Sequence, residues 1–395
     1  MASFDQTLQE RLNALREQHL QRELRPVDSA QGPHIRHQGQ DCLNFSSNDY
    51  LGLANHPALQ EAAIRAVREF GVGAGASRLI CGSLAPFHEL ETALAEFKHT
   101  EAALAFANGY AAAVGTLPAL VGKDDIVILD KLVHASIVDA TRLAGAKIRV
   151  YAHNDLNDLE EKLRWADQTR SAASPSKPAV LVITESIFSM DGDQAPLREL
   201  VALKEKYGAW LMVDEAHATG IIGRDGRGLA DALGVSNQIE IQMGTLGKAL
   251  GASGGFIVGS RALIDLLINR ARSFIFSTAP VPAAAAAATA ALRLLVTPEG
   301  EQLRRQLQQR IADFKTALGQ PGAEPASAII PIILGDENRA VTAAGELRRQ
   351  NIFVPAIRYP TVARGAARLR VTLSATHSAA DVATLVRALQ PIMAS

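Results

Sequence analysis

The sequence predicts an α/β fold: a mostly parallel sheet in a large domain, then a smaller α+β C-terminal domain. Two observations predict the sheet. Short apolar runs recur from residue 102 to residue 258, most of them separated by helical stretches. Most of these runs are nearly continuous in apolar residues rather than alternating, as expected of strands covered on both faces. A third observation predicts the second domain: beyond residue 290 the texture shifts to a long charged helix, then shorter strands and helices.

The elements follow in order. Leu8, Leu12, Leu15 and Leu20 recur among Gln, Glu and Arg, the spacing of an amphipathic helix. A polar stretch leads to Leu43-Asn44-Phe45 and the turn-like Ser46-Ser47-Asn48-Asp49. Ala58–Phe70 reads as a helix stopped by Gly71, and the glycine-rich loop Gly71–Arg78 follows. Strands are expected at Ala102–Phe106, Ile126–Leu129, Ile148–Tyr151, Val180–Thr184, Trp210–Val213, Ile239–Met243 and Phe256–Val258. Helices are expected at Leu156–Trp165 and Leu197–Tyr207, and a loop at Ser171–Pro178. The C-terminal part reads as a helix at Glu301–Leu318, strands at Ile329–Leu334, Ile352–Pro355 and Leu369–Leu373, and helices at Ala340–Gln350 and from Ala379. The expected division is an N-terminal helical arm at 1–50, a large domain at 51–289 and a small domain at 290–395.

Composition excludes several classes. The chain has 395 residues, with Lys+Arg 40 against Asp+Glu 41 and a net charge of -1, so no general basic field attracts nucleic acid. Cys42 and Cys81 are the only cysteines, too few for a disulfide framework or a cysteine-rich metal site. His217 has no second histidine at metal-ligand spacing, so no metal is expected. Ala279–Val296 is long enough to approach a membrane span, but it is mostly alanine and carries Arg293. Residues 1–28 lack the apolar core of a signal segment, so a cytoplasmic location is expected.

In an open parallel sheet, ligands bind beyond the carboxyl ends of the strands. Five such ends carry polar residues: Asn108-Gly109-Tyr110, then Asp130 with His134, then Glu185 with Ser189, then Asp214 to His217, then Thr245 with Lys248. Lys248 stands among Gly247, Ala249 and Leu250, where desolvation would lower its pKa and make the amine nucleophilic. An Asp at a strand end can pair with a protonated ring nitrogen, and a His can stack on a flat ring. A helix N-terminus with nearby hydroxyls can hold a phosphate. Together these are the requirements of pyridoxal 5'-phosphate, PLP.

Five motifs carry a family resemblance: Asn48-Asp49-Tyr50-Leu51-Gly52, His134-Ala135-Ser136-Ile137, Phe188-Ser189-Met190-Asp191-Gly192, Asp214-Glu215-Ala216-His217-Ala218-Thr219-Gly220 and Gly244-Thr245-Leu246-Gly247-Lys248. In order and spacing they resemble the α-oxoamine synthases, and the likeness runs over nearly the whole chain. The resemblance implies a fold-type-I PLP-dependent transferase, aspartate aminotransferase-like, that joins an amino acid to an acyl thioester. It implies that Lys248 binds PLP as a Schiff base, that Asp214 pairs with the pyridine nitrogen and that His134 stacks on the ring. It further implies that His217 bonds the phenolic oxygen, that Ser189 touches the ring, and that Gly109, Tyr110 and Thr245 serve the phosphate. On the substrate side it implies Arg370 for the amino-acid carboxylate, with Asn48 and His134 nearby, and Arg22 and Thr361 for the acyl thioester. Ser277-Thr278 resembles a segment that reaches the partner's cofactor phosphate across a homodimer interface.

Two branches of the family stay open. Ala356–Val362 followed by Arg368–Leu373 looks most like the branch that starts biotin synthesis, which condenses L-alanine with pimeloyl-CoA or its carrier-protein thioester. Gly244–Gly255 is also close to the branch that uses glycine and acetyl-CoA. Rival motifs fail on context. Asp214–His217 spells a helicase box, but no phosphate loop accompanies it. Gly251–Gly255 fits the serine-hydrolase elbow but precedes a strand instead of following one. Gly71–Ala76 follows a helix, so it is no dinucleotide fingerprint. A non-catalytic PLP-fold protein would typically lack the lysine, whereas Lys248 and Asp214 are both present.

Overall fold

The structure is a computed structural model that describes residues 3–17, 20–172, 178–319 and 327–394. The N-terminal part holds α1 (Phe4–Glu17), β1 (His34–His37), β2 (Gln40–Asn44), α2 (Pro57–Phe70) and α3 (Ala85–Lys98). The middle of the chain runs β3 (Ala102–Phe106), α4 (Gly109–Leu120), β4 (Ile126–Asp130), α5 (Ala135–Ala144), β5 (Lys147–Tyr151) and α6 (Leu156–Ala172). It continues through β6 (Val180–Glu185), α7 (Leu197–Lys206), β7 (Trp210–Asp214), α8 (Leu229–Ala232), β8 (Ile241–Thr245) and β9 (Gly255–Gly259). Next come α9 (Arg261–Arg270), α10 (Arg272–Ile275), α11 (Pro282–Leu295) and α12 (Pro298–Ala317). The last elements are β10 (Ile329–Gly335), α13 (Glu337–Arg349), β11 (Ile352–Phe353), β12 (Ala356–Ile357), β13 (Ala367–Thr372) and α14 (Ala379–Ala394).

The central sheet has the order β3-β9-β8-β7-β6-β4-β5. Neighbours from β5 to β8 are parallel, and only β9 runs against its two neighbours. The continuous apolar runs have a direct cause. Ile126 and Ile128 face one core cluster while Val127 and Leu129 face the other. Val180 and Val182 alternate with Leu181 and Ile183 in the same way. Both faces of β4 and β6 are therefore dry, and no polar alternation is allowed there.

A small antiparallel sheet, β10-β13-β12, belongs to the C-terminal part. Along β13 the period of two separates functions. Leu369 and Val371 are fully buried in the core, whereas Arg368 and Arg370 reach toward the loop after β6. The hairpin β1–β2 was not expected from the sequence. It turns through Gln38 and Gly39, both at positive φ, and β2 pairs in parallel with β11. The N-terminal stretch thus joins the C-terminal one.

Several sequence boundaries move. Leu20 lies beyond α1, which has no buried residue. Ile239 closes a short turn, so β8 begins at Ile241. The strand expected at Ile352–Pro355 is only β11, two residues long. Residue 290 falls inside α11. The loop expected at Ser171–Pro178 lies largely outside the described residues. No described helix is long and apolar enough to cross a membrane.

Candidate active site

Two adjacent strands deliver two buried carboxyl groups. Glu185 ends β6, Asp214 ends β7, and the two residues stand in register. Asp214 turns back to accept the Ala216 N–H at 2.9 Å, which opens the tight turn leading to His217. The next strand, β8, leads into the loop that carries Lys248. There Leu246 N–H donates to Gly254 O at 3.0 Å and Ala252 N–H to Leu246 O at 2.9 Å. Gly251 is required in this loop: its φ is +61, and an added Cβ would lie 2.4 Å from the Leu53 carbonyl carbon.

Side chains from four distant segments then form one chain of contacts. Lys248 Nζ lies 2.7 Å from His217 Nε2. His217 Nδ1 lies 2.5 Å from the Tyr50 hydroxyl. Tyr50 donates to Asn48 Oδ1 at 3.2 Å, and Arg370 Nη2 donates to the same oxygen at 3.2 Å. Arg370 is aimed by Nε to Ser189 O at 2.7 Å and by Nη1 to Thr372 Oγ1 at 2.9 Å. A guanidinium has five N–H groups, so two remain for a carboxylate. A cleft of about 460 Å³, lined by Asn48, Lys248, Gly247, Ala252 and Phe353, opens onto this chain.

Burial sets the electrostatics. It lowers the Lys248 amine to about 8, against the opposing pull of Asp214 and Glu185. Burial also lowers His217 well below its usual value, with the Lys248 and Arg370 charges adding to the effect. The Asp214 carboxyl is raised by desolvation, partly offset by Lys248. Glu185 is raised well above the usual range by desolvation and by Asp214, and its Oε1 has no hydrogen-bond partner. His134 is lowered by burial; its Nδ1 accepts the Ser136 N–H at 3.2 Å, which caps α5 and sets the ring's orientation.

A second end of the site is a helix N-terminus, whose free N–H groups suit an anion. The helix α4 begins at Gly109, with Asn108 capping it by accepting the Ala111 N–H at 2.8 Å. An added Cβ at Gly255 would lie 2.5 Å from the Asn108 carbonyl oxygen, so only glycine lets β9 pass this close to the helix start. Thr245 is beside it, its hydroxyl donating to Gly254 O at 3.0 Å and accepting from Gly247 N–H at 3.2 Å. Tyr110 is half exposed and donates to Asp139 at 3.1 Å.

Other expected site residues are not brought together within this chain. Arg22 is exposed in the stretch between α1 and β1. Thr361 is exposed on the turn after β12, where its N–H donates to Arg358 O at 3.0 Å. Ser277 Oγ donates to the Thr278 carbonyl at 3.0 Å, and Thr278 is exposed. Asp130 binds His153 at 3.0 Å. Two residues of the cluster lacked an expected role: Tyr50, inside the Asn48–Gly52 motif, and Glu185, at a strand end. No described group of His, Cys, Asp and Glu could hold a metal ion.

The family of class I and II aminotransferases matches residues 40–389. The chain belongs to this family. An 8-amino-7-oxononanoate synthase of Geobacter sulfurreducens is 48% identical over 96% of both chains. Among solved structures, a serine palmitoyltransferase of S. paucimobilis with bound PLP and myriocin superposes with a TM-score of 0.89. It is 30% identical, over 98% of this chain and 96% of that one. The crystal structure of 8-amino-7-oxononanoate synthase from Francisella tularensis gives a TM-score of 0.74 at 28% identity, over 89% of this chain and 97% of that one. The fold is therefore the fold-type-I PLP transferase fold that the class I and II aminotransferases share.

Proposed function

We propose that the protein catalyses the PLP-dependent condensation of L-alanine with pimeloyl-CoA or a pimeloyl-carrier-protein, releasing CoA and CO2 and forming 8-amino-7-oxononanoate for biotin biosynthesis. The observation that carries it is the buried Lys248 amine, lowered to about 8 beside Asp214 and His217, in a chain so similar to synthases of that name.

The residues fit the cofactor. Asp214 keeps a buried carboxyl at the sheet rim, suited to a protonated pyridine nitrogen. His217 can present an N–H to a phenolic oxygen, and His134 offers a ring face. Ser189 flanks the same space. The α4 N-terminus at Gly109 and Tyr110, with Thr245, suits a phosphate dianion. When bound, PLP supplies an electron sink for the carbanion formed at the substrate Cα.

The chain's own residues do the rest. Arg370, already held by Ser189 O and Thr372, takes the alanine carboxylate with its free N–H groups beside Asn48. Lys248, once displaced by the substrate amine, has its pKa brought down to about 8, close enough to physiological pH for its neutral form to take the Cα proton. It later returns a proton to the product carbon. Arg22 and Thr361 serve the acyl thioester from the exposed side of the site. Two copies acting together place Ser277 and Thr278 at the partner's phosphate cradle. Exposed Val72, Ile80 and Phe276 support such an interface, and the Ala279 N–H donates to Ala76 O at 3.0 Å, which joins the two loops that carry them. The location is cytoplasmic.

The test pairs L-alanine, glycine and L-serine with acetyl-, pimeloyl- and palmitoyl-CoA and reads CoA release. Alanine with pimeloyl-CoA is expected to dominate. A preference for glycine with acetyl-CoA would assign the protein to the other branch. In Lys248→Ala the absorbance of the cofactor bound to the lysine should vanish and turnover should fall by about 10²–10⁴-fold or more.

A further inference from the structure

Tyr50 is fully buried, yet its hydroxyl stands between two partners that make opposite demands. One is His217 Nδ1 at 2.5 Å, and the other is Asn48 Oδ1 at 3.2 Å. A phenol has one hydrogen to give. Given to Asn48, it leaves the phenolic oxygen free to accept from Nδ1–H. Given to His217, it requires Nδ1 to be bare. The far ring nitrogen, Nε2, is 2.7 Å from Lys248 Nζ and must match in turn. An ammonium needs a bare Nε2, whereas a neutral amine can accept from Nε2–H.

With Lys248 an ammonium, one arrangement satisfies every atom; with Lys248 neutral, a second becomes available and is preferred, because a neutral amine accepts a hydrogen bond better than it donates one. In the first, Lys248 is an ammonium donating to Nε2, Nδ1–H donates to Tyr50, and Tyr50 donates to Asn48. In the second, Lys248 is a neutral amine accepting from Nε2–H, and Tyr50 donates to Nδ1. The passage between them balances. Lys248 gives one proton to Nε2, Nδ1 gives its proton to the Tyr50 oxygen, and the former Tyr50 hydroxyl proton leaves to solvent through the cleft that Asn48 lines. We propose that Tyr50 is a positioning residue that sets the His217 tautomer, so that His217 presents an Nε2–H donor when Lys248 has given up its proton. That donor is what an anionic oxygen placed beside Lys248 would require.

The surroundings agree. His217 is held neutral by burial and the nearby cations, so tautomers and not an imidazolium are at issue. Tyr50 is pushed up to about 12 by burial, so it keeps its hydrogen throughout. The charged or titratable groups facing the chain are Asp214 on β7, Glu185 on β6, His134 before α5 and Arg370 on β13. Arg370 also donates to Asn48 Oδ1, which keeps that oxygen turned toward Tyr50.

The inference rests on Lys248 being the cofactor lysine, and the test separates the two. Cofactor-free protein labelled with ¹⁵N-histidine is titrated, and the His217 tautomer is read by NMR, with His217→Gln for assignment. In parallel, the pH dependence of Lys248 acylation by a small reagent is followed by mass spectrometry. Wild type should change from Nδ1–H to Nε2–H with the same midpoint as Lys248, about 8. Tyr50→Phe leaves Nδ1–H without an acceptor, so the ring should stay Nε2–H at every pH. The Lys248 midpoint should then fall by about half a unit or more, because the ammonium faces an N–H. Asn48→Ala removes the other acceptor and should lock the same tautomer, which keeps the test decisive if Tyr50→Phe does not fold. A wild-type ring that never changes tautomer, or variants that still switch, would overturn the proposal. Absence of PLP absorbance on Lys248 in the reconstituted wild type would instead remove the functional reading and leave the tautomer result standing.

Discussion

The turn after β7 sends its side chains to two different places, and the two make an instructive pair. Asp214 and His217 face the Lys248 cleft, while Glu215 between them points the other way. Glu215 is fully buried and satisfied: it accepts the Leu229 N–H at 3.1 Å, the Ala230 N–H at 2.9 Å and the Lys98 ammonium at 3.5 Å. Lys98 also reaches Thr219 at 3.4 Å and the Arg227 carbonyl. On the cleft side, Glu185 keeps an unpartnered oxygen, and Lys248 and His217 are shifted by burial. Buried charge is therefore used in two ways within one motif. Where it holds structure, its hydrogen bonds are complete. On the cleft side some valences are left unfilled, as a ligand site would require.

Four substitutions can break or sharpen that contrast. The largest effect belongs to the clamp. Lys98→Met leaves Glu215 as a buried, half-paired charge and should cost about 3–5 kcal/mol in urea unfolding. The kcat of the remaining folded protein should stay near wild type. A fall in kcat with little loss of stability would erase the distinction between the two sides. Next is Gly255→Ala, which drives a methyl toward the Asn108 carbonyl and should cost about 1–3 kcal/mol. Because the displaced atoms begin α4, PLP affinity measured by fluorescence quenching should weaken as well. Unchanged affinity would separate the cradle from the helix start.

A third test uses a histidine outside the cleft. His153 bonds Asp130 at 3.0 Å and Asp193 at 2.7 Å, which ties the end of β4 to the loop after Ser189. Burial pulls its pKa down, but the two carboxylates outweigh burial and raise it to about 10. A raised folded pKa adds stability that is complete below the unfolded value of about 6.5. That stability declines as pH rises from there and is gone above about 10. His153→Gln should therefore cost about 1.5–3 kcal/mol at pH 6, and the Tm gap to wild type should close by pH 10. A gap independent of pH would mean packing against Phe188, and not charge, is what His153 contributes.

The smallest effect is expected at Glu185→Gln. The change keeps the shape and removes the ionisable carboxyl, so stability should move by less than about 1 kcal/mol. The pH profile of kcat should shift, since Glu185 and Asp214 interact directly. A large loss of stability would place Glu185 with Glu215, among the structural carboxylates.

Much of this was readable from the chain. The central strands were legible because both their faces are dry, and the rim followed because strand ends carry the ligand in such sheets. Lys248, Asp214, His217 and Ser189 are candidates for that reason. Tyr50 was not given a role, since its partner His217 lies 167 residues away and nothing local distinguishes a buried tyrosine with a task from one that only packs. Glu185 was visible at a strand end, but its missing hydrogen-bond partner exists only in three dimensions. The β1–β2 hairpin escaped notice because its strands are short and polar, and its buried Ile35 and Cys42 find cover from other parts of the chain.

The parallel sheet, its strand ends and the kinds of chemistry they offer are already legible in the order of the amino acids. Periodicity and turn residues are local properties, and burial on both faces leaves a local mark. Which polar groups share a bond and which stand apart depends on how distant segments pack together. Lys248, His217, the Asn48–Tyr50 pair and Arg370 come from four separate parts of the chain, and the hydrogen bonds between those parts depend on distances that no local pattern encodes.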